Sequence, residues 1–314
     1  MHTPITIDAL RVIDAIDRKK SFAAAANELY RVPSAISYTV QKLEEDLGVE
    51  IFNRSGHRAT LTPAGRFLLE QGREILRAAE SLSQTTRQIA NGWEPKITLA
   101  VNTLLPISSV LPVVREFLEL QPQVDVQVIE EVFGGAWDAL LCKRADLIIG
   151  CDTDSRPAGQ FTLHPLGTID FVYAAAPHHP ICKEKQPLTP EVLTNYRAVV
   201  AADSSRHLAP RSGGVFEKQR RLTLPNMANK IDAQRQGLGL GYLPRKQVQH
   251  YLDSGELVEL NLEQPRVPLT LNLAHRSEDR GRALKWFVKR LTDSSLFRPW
   301  LTPVTSYKPE LAET

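Results

Sequence analysis

Between positions 33 and 42 the chain sets hydrogen-bonding side chains at helical spacing: Pro33, Ser34, Ser37, Tyr38, Gln41 and Lys42. At 100° per residue, Ser34, Tyr38 and Gln41 share one face, flanked by Ser37 and Lys42, and Ile36, Val40, Leu43 and Leu47 share the other. Hydroxyl, phenol, amide and ammonium groups can bond base edges or phosphates. A solvated helix face shows the same residue types, but here acidic residues are missing until Glu44, Glu45 and Asp46 at the far end. A second group, Arg54, His57 and Arg58, surrounds Ser55-Gly56 between two short β-prone runs, 49–52 and 59–61. Such a hairpin tip can straddle a sugar-phosphate backbone or enter a minor groove, where Arg is favoured. It also reads as an ordinary basic surface turn.

The elements that must hold these groups are legible. A helix is expected over 5–18, then Ser21 caps a short alanine-rich helix over 22–29. Pro33 breaks the chain and starts the next helix, which Gly48 ends in a left-handed conformation. Helix, tight turn, helix and β-ribbon in that order make a winged helix-turn-helix, a compact way to seat one helix in the major groove. Thr62 and Pro63 then open a helix of about 27 residues, about 40 Å long. Leu68, Ile75, Leu82 and Ile89 recur every seven residues, with Gly72, Ala79 and Thr86 between them. The pattern predicts a weak coiled-coil dimer seam, and packing against the chain's own domain is the alternative. Asn91 to Pro95 reads as a hinge.

From Lys96 strands alternate with helices, the pattern of parallel sheets with helices on their faces. Strands are expected at 97–101, 124–131, 146–150, 171–176, 198–202, near Leu222, at 238–243 and at 268–274. The last of these, with a helix over 283–291, returns to the first lobe. Two lobes crossed twice leave a cleft suited to a small ligand. Asn102 and Thr103 follow the first strand, Phe133 precedes Gly134-Gly135, and Asp203, Ser204 and Ser205 follow AVVAA. Each is a candidate cleft residue, with loop capping as the everyday alternative. An Asp203 carboxylate facing the cleft would favour a neutral or hydroxyl-rich ligand.

Other features argue against other chemistries. The 314 residues carry a formal net charge of +2, and residues 1–66 hold nine Lys/Arg against eight Asp/Glu, so contact with DNA must come from placement. Cys142, Cys151 and Cys182 show no CxxC spacing, and their odd number suits a reducing compartment. Cys142 and Cys151 read as small apolar fillers. No signal-peptide pattern and no apolar run near about 18 residues is present, so a cytoplasmic chain without membrane contact is expected. Gly237, Gly239 and Gly241 lack dinucleotide-site spacing, and His178-His179 have no neighbouring metal ligands. Without a nucleophile–base pair, no enzyme activity and no cofactor or metal are expected.

FAAAANEL, AISYTVQKLEEDLGVEIFNR and LTPAG together resemble the LysR-type transcriptional regulators, and the resemblance extends over nearly the whole chain. It implies a homodimer or homotetramer that binds double-stranded promoter DNA and a small-molecule effector, with RNA polymerase as a further partner. It also implies an α/β fold: a winged helix-turn-helix over 1–62, a linker helix over 63–91, a hinge over 92–95 and an effector domain over 96–300. That domain is similar to periplasmic binding proteins, with lobe I at 96–166 and 268–300, lobe II at 167–267 and a tail at 301–314. The three candidate cleft stretches coincide with the family's usual effector contacts. The chain departs from the family at Pro33-Ser34, where Gln-Pro is usual, and at Tyr38, where Arg is usual. Both departures concern the operator sequence rather than the fold, and RVPSA with SYT marks a subgroup. The alternative is a metabolite-binding module whose N-terminal domain contacts proteins instead of DNA.

Overall fold

The computed structural model describes residues 4–53, 59–293 and 295–303, and the chain divides into two compact units, Met1–Asn91 and Gly92–Thr314. The first unit holds α1 (Ile7–Lys19), α2 (Phe22–Glu28), α3 (Pro33–Leu47), a ribbon of β1 (Phe52–Asn53) and β2 (Thr60–Leu61), and α4 (Pro63–Ala90). Thr6 and Ser21 cap α1 and α2 through their side chains, and Gly48 ends α3 at φ 68°. Ala25 and Ala26 are fully buried, so the alanine run does bring helices close; Ile36, Val40 and Leu43 complete that core. Tyr30, at φ 54°, turns the chain sharply between α2 and α3. Arg31 fixes that turn by a paired hydrogen bond to Asp8, at 2.8 and 2.7 Å.

Thr62 caps α4 by accepting from the Gly65 amide at 2.9 Å. The first half of α4 belongs to the helix-turn-helix core: Leu69 is buried, Leu68 packs beside it, and Arg73 donates to Asp14 and Asp17 of α1 at 2.7 and 3.1 Å. Leu68 and Gly72 therefore pack against their own unit. A Cβ on Gly72 would stand 2.7 Å from Leu10 Cδ2, a terminal methyl on α1. Phe67, Ile75, Leu82 and Ile89 are left as exposed apolar residues along the helix.

The second unit contains β3 (Lys96–Asn102), α5 (Leu111–Leu120), β4 (Asp125–Glu131), α6 (Gly135–Leu141) and β5 (Leu147–Cys151). After these come β6 (Phe161–Ile169), β7 (Phe171–Ala175), α7 (Pro190–Thr194), β8 (Ala198–Ala201), β9 (Arg221–Leu224) and α8 (Met227–Arg235). β10 (Gly241–Pro244), α9 (Arg245–Asp253), β11 (Val258–Glu259), β12 (Leu269–Arg276) and α10 (Arg282–Leu291) complete it. One lobe is a five-stranded sheet in the order β4-β3-β5-β12-β6; the other combines β10-β7-β11 with the β8-β9 pair. Among the described residues no helix is long and apolar enough to cross a membrane.

Several expectations need correction. The sheets are mixed, with β3 parallel to β4 and β5 but β12 antiparallel to β5 and β6, because the chain leaves the lobe along β6 and returns along β12. β6 was not anticipated; its Pro165 and Gly167 sit where the register with β12 shifts. β6 also carries lobe I to Ile169, past the expected boundary at 166. Within the expected hinge, Glu94 accepts from the Ala283 and Leu284 amides at 2.9 and 3.1 Å, capping α10. The expected tail begins too early, because Leu301 is buried and Thr302 exchanges backbone hydrogen bonds with Thr168 at 2.8 and 2.9 Å.

Candidate nucleic-acid interface and ligand cavity

On α3 the two faces separate as the helical phase requires. Pro33, Ser34, Ser37, Tyr38, Gln41 and Lys42 are all exposed, Tyr38 at 66%, opposite the buried Ile36, Val40 and Leu43. Gln41 Nε2 donates to Glu45 at 2.8 Å. Glu44 turns aside and accepts from the Ile51 and Phe52 amides at 2.7 and 3.1 Å, so one acid of the EED run fastens the ribbon to α3. Nothing in the local spacing of Glu44 announces that contact. Arg54, His57 and Arg58 lie outside the described residues.

In the second unit a cavity of about 50 Å³ opens between the two lobes. Asn102 and Thr103, buried at the end of β3, line it together with Phe133. Thr103 Oγ1 donates to Glu130 at 2.8 Å and accepts from the Met227 amide at 2.9 Å, joining β3 to the start of α8. Phe133 holds φ 48°, a strained left-handed conformation for a bulky residue that aims its ring at the cavity wall.

Asp203, Ser204 and Ser205 do not line the cavity. Asp203 Oδ1 accepts from the Ser205 amide and hydroxyl at 2.8 and 2.6 Å, and Oδ2 from the Arg211 amide at 2.7 Å. Ser204 accepts from the Val132 amide at 2.8 Å and donates to Glu131. These three side chains hold the crossing between lobes, so Asp203 gives no reason to expect a neutral ligand. The walls instead include residues the sequence reading passed over: Asp152, Phe171, Lys230, Tyr242 and Arg266. A signal for Lys230 was present, because Met227, Lys230, Ile231 and Gln234 fall on one face of α8 and all are buried.

Beside the cavity, Arg144 donates to Glu131 at 2.6 Å and to Asp138 at 2.9 Å. Asp138 also accepts from the His207 and Leu208 amides at 2.8 and 3.1 Å. Burial pushes the Asp138 carboxyl up, but the Arg144 guanidinium and these amides outweigh it and bring its pKa down to about 2. Cys142 is no apolar filler: it is exposed, with Sγ 3.2 Å from His207 Nδ1. Asp138, Cys142 and His207 bring ligand-type atoms within 4.8 Å of one another, yet the carboxylate is already engaged. His179 Nδ1 accepts from the Ile181 amide at 3.2 Å, a capping role.

Comparison with known proteins matches the two units separately. The family model for the bacterial regulatory helix-turn-helix protein, lysR family, covers residues 7–66, and that for the LysR substrate binding domain covers residues 90–295. The probable HTH-type transcriptional regulator YhaJ of Escherichia coli (strain K12) is 39% identical over 287 residues, 91% of this chain and 96% of YhaJ. PunR, an HTH-type transcriptional regulator of the same organism, is 34% identical over 303 residues, 95% and 98% of the two chains. The structure of the Corynebacterium glutamicum OxyR C206 mutant shares the fold, with a TM-score of 0.61, 20% identity and 94% of each chain covered. The chain belongs to the LysR family of DNA-binding transcriptional regulators, with a helix-turn-helix followed by an effector-binding domain.

Proposed function

We propose that α3 reads operator DNA through Pro33, Ser34, Ser37, Tyr38, Gln41 and Lys42, and that Arg54, His57 and Arg58 of the ribbon clamp the backbone. The carrying observation is the exposed row of donors on α3, opposite its buried stripe. Two copies joined along Phe67, Ile75, Leu82 and Ile89 would hold two reading helices at the separation that a two-fold operator demands. Association of dimers into tetramers, contact with RNA polymerase at the promoter and a cytoplasmic location belong to the same reading. The cavity lined by Asn102, Thr103 and Phe133 takes the effector, whose binding favours one lobe arrangement over another. No catalytic step is assigned to it.

The test separates base reading from phosphate contact. Tyr38→Ala is expected to cost about 1–3 kcal/mol of discrimination between operator and scrambled DNA. Lys42→Ala is expected to weaken both DNAs alike and lower the salt slope by about one. Fluorescence anisotropy across a salt series measures both, with circular dichroism confirming the fold. Unchanged affinity in both variants would overturn the docking of α3.

A further inference from the structure

The cavity wall carries more positive charge than its own acids answer. Lys230 is only 6% exposed, on the buried face of α8, and it lines the cavity. Among the described residues its ammonium has no acid within 4.0 Å and no hydrogen-bond partner. Arg266 lies with its guanidinium 4.1 Å from the centre of the Phe171 ring, likewise without an ion pair or hydrogen bond among the described residues. Stacked this way, a guanidinium keeps its N–H edge available for a planar oxyanion. Asp152 is the sole acid among the lining residues, against two cations; its charge also acts on Arg266, and its Oδ1 is already engaged. It accepts from the Ser155 amide and hydroxyl at 2.7 and 2.6 Å, with Arg211 at 3.8 Å.

A buried cation without a partner is costly, and a bound anion relieves it. Burial and then the nearby Arg266 bring the Lys230 pKa down to about 7, the response of an ammonium that lacks its counter-ion. Asn102 adds polarity at the same wall, its Oδ1 accepting from the Leu104 amide at 3.0 Å. Phe133, Phe171 and Tyr242 make the remaining surface flat and apolar. The volume of about 50 Å³ exceeds the roughly 10–15 Å³ that a water requires, and suits a small ligand.

We infer that the effector is a small organic anion whose carboxylate sits between Lys230 and Arg266, its flat body against Phe133, Phe171 and Tyr242. The inference rests on reading this cavity as the effector site, and the two can fail separately. Full-length protein is tested by thermal shift and calorimetry against acetate, propionate and benzoate, each beside its amide, with inorganic phosphate included, at constant ionic strength. At least one carboxylate is expected to raise the melting temperature while its amide does not. Lys230→Met and Arg266→Gln are each expected to weaken that carboxylate roughly tenfold or more. Lys230→Met without ligand is expected to melt no lower than wild type, because an apolar group of similar length replaces an unpaired buried cation.

Equal stabilisation by an amide, stabilisation by phosphate alone, none by any carboxylate, or unchanged affinity in both variants would overturn the anion. A neutral ligand whose binding is lost in Phe133→Ala would retain the cavity while removing the anion. Carboxylate binding that needs Lys230 but leaves operator affinity unmoved would uphold the anion and remove the effector reading.

Discussion

Gly65→Ala is expected to destabilise the N-terminal unit by about 3 kcal/mol and to abolish operator binding at the temperature where wild type binds. A Cβ on Gly65 would lie 2.1 Å from the Ile51 carbonyl oxygen, which also accepts from the Thr62 amide at 3.0 Å. Both sides of that contact are backbone, so no rotamer change relieves it. Alanine's helix preference returns only about 1 kcal/mol. Gly72→Ala, seven residues along the same helix, is the internal control. Its Cβ meets a leucine methyl, which can swing aside, and the net change is expected within about 1 kcal/mol. Thermal melts and operator affinity for the two variants decide the matter: equal effects would show that the close approach at Gly65 is not what fixes α4.

Arg144→Met is expected to cost about 3–5 kcal/mol at neutral pH, because it leaves Glu131 and Asp138 buried as uncompensated charges. The pH dependence has a definite sign. In wild type the Asp138 pKa is held at about 2, below the unfolded value of about 3.9, so its contribution is complete above about pH 4 and fades as pH falls towards 2. In Arg144→Met the carboxyl is no longer held down by the guanidinium, and the deficit should narrow as pH falls and the acid protonates. Adding Glu131→Gln and Asp138→Asn should recover part of the loss at pH 7. Denaturant unfolding from pH 3 to 8 checks this; a deficit independent of pH would assign the effect to packing.

Much of the first unit was legible because short-range rules decide it. Ser21, Thr62, Pro63 and Gly48 mark helix ends by local chemistry, and the phase of α3 separates its core from its polar face. What escaped depends on distant partners. Glu44 looked like one acid among three until the ribbon amides met it, and Leu68 fitted a heptad but joins its own core. Asp203, Ser204 and Ser205 follow a strand end, as cleft residues do, but only the fold reveals that Gly134, Val132 and Arg211 claim them. Lys230 was readable, since a lysine in phase with Met227 and Ile231 announces a buried charge. β6 carries Pro165 and Gly167, which a strand tolerates only at a bulge.

The decisive measurement is the affinity of the full-length wild-type protein for its own promoter and for a scrambled duplex, followed across a salt series. Recognition through α3 predicts promoter binding at least about a thousandfold tighter than scrambled binding, with log affinity falling linearly in log salt for both. It also predicts a footprint of two half-sites about one helical turn apart or a multiple of it. Equal affinity for the two duplexes, or binding indifferent to salt, would contradict DNA reading by the exposed face of α3.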